Sequence, residues 1–224
     1  MSGQLLLDLG HRPALGREDF LVAESNRAAV AWIDAWPAWP AAGLVVWGPP
    51  QCGKTHLAEV WRTRSGAIRI DAVDLAGRSA PDVLGASATV VLEAADAARD
   101  ERAFLHLYNL VAERAGHLLL TAREAPARWA VGLADLRSRL AALPAVELGA
   151  PDDQLIQAVL VKLFADRQLR VEPDVIAYLA ARLERSLAAA AAAVREIDRA
   201  ALAARRPVTV PLVRQALRLE QAPP

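Results

Sequence analysis

The 224-residue chain carries 54% hydrophobic and 23% charged side chains, enough apolar content for a substantial core and too much for disorder over most of its length. Lys+Arg and Asp+Glu each number 26, and a net charge of zero is a poor footprint for gripping a phosphate backbone, so direct sequence-specific DNA binding is disfavoured. A single cysteine, Cys52, excludes an internal disulfide, and with no signal-like start and no apolar stretch of about 18 residues the sequence reads as cytoplasmic, with no membrane contact.

Residues 1–18 hold three glycines and a proline around one apolar cluster and read as a flexible tail. From 19 to 150, helical and strand-like segments alternate. Ser25 is placed to cap a helix through Ile33, Pro37 and Pro40 break it, and the apolar run from Gly43 to Trp47 has strand length and ends at Gly48. A helix is predicted from Lys54 to about Thr63. Further apolar runs at 67–70, 88–92, 117–121 and 145–148 predict five strands buried on both faces, hence an α/β fold around a parallel five-stranded sheet. Beyond Gly149 no strand pattern follows. Helices are predicted from Asp152 to about Arg167, from Glu172, from Ser186 through an alanine-rich run, and from Val210 to about Leu219, giving an all-helical domain over 151–224.

Gly48-Pro49-Pro50-Gln51-Cys52-Gly53-Lys54-Thr55 fits G-x-x-x-x-G-K-[ST], directly after a predicted strand and opening a predicted helix. Glycines there let backbone N–H groups curl around a phosphate, and the helix N-terminus adds partial positive charge. Lys54 reaches between phosphates and the Thr55 hydroxyl can hold Mg²⁺. Only two of the 26 basic residues are lysines, Lys54 and Lys162, and a compact reaching cation explains why the first is not Arg. Cys52 reads as a small side chain filling the turn. Bound ADP or ATP with Mg²⁺ is the expectation.

A P-loop ATPase also needs a strand that ends in two acids, one on the metal side and one polarising the attacking water. Residues 90–96 read Val-Val-Leu-Glu-Ala-Ala-Asp. Glu93 can stand for the metal-side acid, Ala94 has no polar atom where the second acid belongs, and Asp96 would point elsewhere. Weak or absent hydrolysis of its own nucleotide follows, as in a switch or adaptor.

The order of these segments resembles the AAA+ module of the DnaA initiator family, and more closely its shorter Hda branch. Residues 19–26, Asp-Phe-Leu-Val-Ala-Glu-Ser-Asn, resemble the family's adenine-side motif through Phe20 and Val22. Gly53-Lys54-Thr55-His56-Leu57 is similar to its GKTHL, residues 118–122 to its sensor I strand, and residues 135–140 to its arginine-finger helix. The resemblance spans about 19–221. It implies an AAA+ sheet domain with a helical lid, and Arg139 as the residue that reaches a neighbour's γ-phosphate, with Arg137 as the competing finger. Gln4-Leu5-Leu6-Leu7-Asp8-Leu9 resembles the Q-L-x-L-x-L peptide that docks to the replicative sliding clamp, with Gln4, Leu5, Leu7 and Leu9 as contacts.

On this resemblance the partners are the sliding clamp and DnaA, a homodimer through the finger edge is open, and the outcome is ATP hydrolysis stimulated on DnaA, its regulatory inactivation. The sequence stops where the initiator's DNA-binding domain would begin. Two departures stand out: Ala122-Arg123 follows the sensor I threonine, and Ala188 takes the place of the lid's sensor II arginine. They imply low nucleotide affinity, with ADP bound or the site only partly occupied. The alternative is an autonomous P-loop ATPase that loads or remodels a replication component, with Glu93 carrying both acidic duties.

Overall fold

The computed structural model describes residues 21–218. The motif with Gln4, Leu5, Leu7 and Leu9 lies outside the described residues, as does Phe20. Five parallel strands form one sheet: β1 (Gly43–Trp47), β2 (Ile68–Asp71), β3 (Val90–Glu93), β4 (Leu118–Ala122) and β5 (Ala145–Glu147), in the order β2-β3-β4-β1-β5. Each predicted apolar run contributes a strand, because every run is short, bounded by turns and rich in Leu, Ile or Val. The chain leaves β1 toward one edge of the sheet and leaves β4 toward the other. The crevice at the carboxyl ends of β1 and β4 is therefore the switch point where open α/β sheets hold ligands.

Alternation along the strands feeds two cores. Leu44, Val46, Val91 and Leu119 face α1 (Arg27–Asp34) and α2 (Lys54–Ser65), meeting Ile33, Leu57 and Trp61. Trp61 is fully buried, stacked on Trp39 at 5.4 Å and 16° and met edge-on by Trp36 at 6.0 Å. Val45, Val90, Leu92, Leu118 and Leu120 pack on the opposite face against α3 (Ala80–Leu84), α4 (Glu101–Glu113) and α5 (Ala134–Ala141). Each fully buried aliphatic of this kind contributes about 1.5–3 kcal/mol.

Local details depart from expectation at helix ends. Ser25 does not cap α1. Asn26 takes that position, and its side chain is spent on the leading segment, donating to the Leu21 carbonyl at 2.8 Å and accepting the Ala23 N–H at 2.9 Å. Helix α2 runs two residues past Thr63 and stops at Gly66, whose φ of +67° suits glycine.

After the sheet come α6 (Asp153–Asp166), α7 (Pro173–Ala180), α8 (Leu187–Ala204) and α9 (Val210–Ala216). Asp152 caps the first through the Leu155 N–H at 2.7 Å and Ser186 caps the third through the Ala189 N–H at 3.0 Å. Phe164, Leu179, Val194, Ile197 and Val213 form their common core, and the alanine run turns Ala190 and Ala193 inward, letting helices approach closely. Helix α9 ends at Ala216, short of the predicted Leu219. Among the described residues no helix is long and apolar enough to cross a membrane.

Candidate functional site

The loop after β1 wraps into α2 at the switch point. Gly48 donates its N–H to the Ala122 carbonyl at 3.1 Å, and a Cβ there would stand 2.1 Å from the Leu148 carbonyl oxygen, so only glycine fits. Buried Cys52 fills the turn behind it, its Sγ 3.3 Å from that same Cβ position. Gly53 opens α2 with φ +108°. The first helical bond runs from the Leu57 N–H to the Gly53 carbonyl at 2.9 Å, which leaves the N–H groups of Gly53, Lys54 and Thr55 without intrahelical acceptors. Pro49 and Pro50 have no N–H, so the phosphate-facing donors come from Gln51 onward. The Lys54 ammonium lies across the loop, donating to the carbonyls of Gly48 (2.9 Å) and Pro49 (2.7 Å).

The leading segment meets this loop. Gly149 donates its N–H to the Ser25 carbonyl at 2.9 Å, next to the Leu148 that confines Gly48. Val22 is half exposed, while Ser25 Oγ is buried with no hydrogen-bond partner, an orphan hydroxyl beside the cradle. Loop, helix start and orphan hydroxyl together suit a nucleotide whose phosphates lie on α2 and whose base lies toward residues 22–26.

On the acid side, Glu93 is 6% exposed at the end of β3. Thr121 of β4 donates its hydroxyl to Glu93 Oε2 in a short hydrogen bond and accepts the Ala94 N–H at 3.1 Å. The other oxygen, Oε1, has no hydrogen-bond donor and lies 3.7 Å from Arg69 Nε, which comes from β2. Asp96 accepts the Arg123 N–H at 2.9 Å, so its carboxylate pins the residue that follows β4. Thr55, His56, Glu59, Arg62 and Arg69 line one groove of ≈ 610 Å³. Arg62 donates twice to Glu59, at 2.7 and 2.6 Å, and this pairing holds the Glu59 carboxyl below its ordinary range. Thr55 and Glu93 are the oxygen donors expected from the sequence for Mg²⁺, and Arg69 stands beside the second of them. Among the described residues no cluster of three or more His, Cys, Asp or Glu could hold a metal ion.

The lid touches the loop through an aliphatic contact: Leu187 Cδ1 is 3.0 Å from where a Gly53 Cβ would stand. Ala188, beside it in the first turn of α8, brings no charge. At the far edge, α5 separates the two candidate fingers. Arg137 donates to the Val131 carbonyl at 2.9 Å and so belongs to its own loop. Arg139 has its Nε 3.5 Å from Asp135 Oδ1, its guanidinium 5.5 Å from the centre of the Tyr108 ring, and 40% of its side chain exposed. The loop before α5 is held by Glu101, which accepts the N–H groups of Gly132 (2.9 Å) and Leu133 (2.6 Å). Those two donors lower the Glu101 pKa. Arg69, Glu101, Tyr108 and Leu187 stand singly in the sequence, and no local pattern marks them.

Residues 152–217 match the family model described as "Hda, lid domain". The whole fold is similar to domain III of the Thermotoga maritima replication initiation protein DnaA, with a TM-score of 0.79 at 13% identity over 92% of this chain and 97% of that one. It is similar to AMPPCP-bound DnaA from Aquifex aeolicus, with a TM-score of 0.71 at 18% identity over 83% of this chain and 65% of that one. The Thermotoga maritima RuvB Holliday junction branch migration motor follows at a TM-score of 0.70 and 12% identity, over 91% and 71%. The chain spans 64% of the length of the first matched structure, a DNA replication initiation factor. At these identities the likeness establishes the fold alone, a parallel five-stranded sheet domain followed by a helical domain.

Proposed function

We propose that this chain, a DnaA-like AAA+ protein with an Hda lid, regulates replication initiation by completing another protein's active site rather than its own. It holds ADP or ATP on the 48–55 loop, with Phe20 and Val22 on the base side. It docks to the sliding clamp through Gln4, Leu5, Leu7 and Leu9, and presents Arg139 to the ATP held by DnaA. The observation that carries this is the contrast within the molecule. Ala94 offers no acid for an attacking water and Glu93 is engaged by Thr121 and Arg69, whereas Arg139 stands at an edge with one exposed carboxylate partner. An arginine supplied in trans is worth roughly 10³–10⁵ in rate, so one side chain suffices for the effect. A homodimer through the same edge would cover Arg139 until DnaA displaces the second copy.

The test is hydrolysis of DnaA-bound ATP with clamp-loaded DNA, comparing the native chain with Gln4→Ala and Arg139→Ala. The native chain stimulates. Gln4→Ala loses about tenfold through lost tethering, and Arg139→Ala loses on the order of 10³-fold. Equal stimulation by all three overturns both assignments. Rapid multiple-turnover hydrolysis by the isolated chain favours instead an autonomous ATPase acting as a loader or remodeller.

A further inference from the structure

Arg69 belongs to the edge strand β2, in a register that pairs it with Val91 and pairs Asp71 with Glu93. Residues two apart share a face, so Arg69 and Glu93 project to the side of the sheet covered by α2, and the ion pair at 3.7 Å realises that placement. The two partners differ in exposure. The Glu93 side chain is 8% exposed and that of Arg69 45%, so the arginine covers the carboxylate from the solvent side while lining the groove that also holds Thr55. With Oε2 taken by the Thr121 hydroxyl, Oε1 is the oxygen left for a cation, and the nearest cation is a guanidinium of this chain. A hydrated divalent ion between Thr55 and Glu93 would meet a carboxylate that already has a guanidinium 3.7 Å away, a like charge for the metal.

We propose that Arg69 is the resident counter-cation of the acid strand, and that a nucleoside diphosphate binds this chain without requiring Mg²⁺. Lys54 and the start of α2 meet the phosphates. Arg69 supplies positive charge at the end of the groove where a metal would otherwise stand. This rests on the nucleotide-binding part of the proposed function and deepens it.

Calorimetric titration of ADP into the full chain, with excess Mg²⁺ and with EDTA, is the test. The native chain binds ADP with affinities that agree within about twofold in the two buffers. Arg69→Gln exposes Glu93 to the metal, and its binding becomes about tenfold tighter with Mg²⁺ than with EDTA. Arg69→Gln combined with Glu93→Gln returns to indifference, an outcome that a merely structural role for Arg69 would not produce, and thermal melting confirms that each variant folds. The proposal is overturned if the native chain depends on Mg²⁺ as strongly as Arg69→Gln does, or if Arg69→Gln stays indifferent. In both cases nucleotide binding itself stands. Absence of ADP binding by the native chain in either buffer overturns the nucleotide assignment together with this one.

Discussion

The acid end of β3 and the exposed edge of α5 each carry a side chain that could act on a phosphate, and they hold it very differently. Glu93 is buried against the Thr121 hydroxyl with the half-exposed Arg69 guanidinium beside it, and a hydrogen bond to a buried charged group is worth about 1.5–3 kcal/mol. Arg139 has an exposed ion pair with Asp135, worth about 0–1 kcal/mol, and a place against the Tyr108 ring worth about 0.5–1 kcal/mol. A phosphate competes for the contacts of the cationic Arg139 at small cost, whereas the anionic Glu93 repels a phosphate and keeps its own donors.

Three changes probe that contrast. The largest expected effect is that of Lys54→Ala, which removes the ammonium lying across the cradle. Charge-assisted hydrogen bonds are worth about 1.5–3 kcal/mol, so ADP affinity falls by about 10–100-fold in calorimetry. Unchanged affinity would move the nucleotide away from this loop. Tyr108→Leu keeps an apolar side chain beneath α5 but removes the ring under Arg139. If the ring holds the arginine back, stimulation of DnaA-bound ATP hydrolysis rises by about two- to fivefold. A fall of similar size would mean that the ring aims the arginine instead.

The smallest effect concerns Glu101, which anchors the loop before α5. Its folded pKa lies below the unfolded value of about 4.3, so its stabilisation is present in full above that pH and is lost as pH falls through the lowered value. The melting temperature of the native chain should exceed that of Glu101→Gln by a constant margin from neutrality down to about pH 4.3, and the margin should close below it. A gap that widened on acidification would contradict the anchoring role.

What could be foreseen from the chain follows from how local each feature is. The phosphate loop is eight consecutive residues between an apolar run and a helix, and the five strands are short apolar runs separated by helical patterns, so neighbours along the chain carry both signals. The sequence suggests Ser25 as the cap of α1, and the structure puts the adjacent Asn26 there instead. The choice is made by the reach of Asn26 back to Leu21 and Ala23. Glu93 was visible as an acid at a strand end, but Arg69 was not visible as its partner. The two are 24 positions apart in a register that only the paired sheet creates. Arg139 and Arg137 lie two positions apart on one helix, and their different contacts, Asp135 and Tyr108 for the first and the Val131 carbonyl for the second, come from the fold.

Helix α2 begins at Lys54 and carries Trp61 two turns later, and that indole lies nearly parallel to Trp39 and meets the edge of Trp36. Any tilt of α2 as its first turn engages a ligand must alter the electronic coupling among these rings. Near-ultraviolet circular dichroism of the unlabelled protein would then report occupancy of the cradle directly, with no fluorophore attached to the nucleotide.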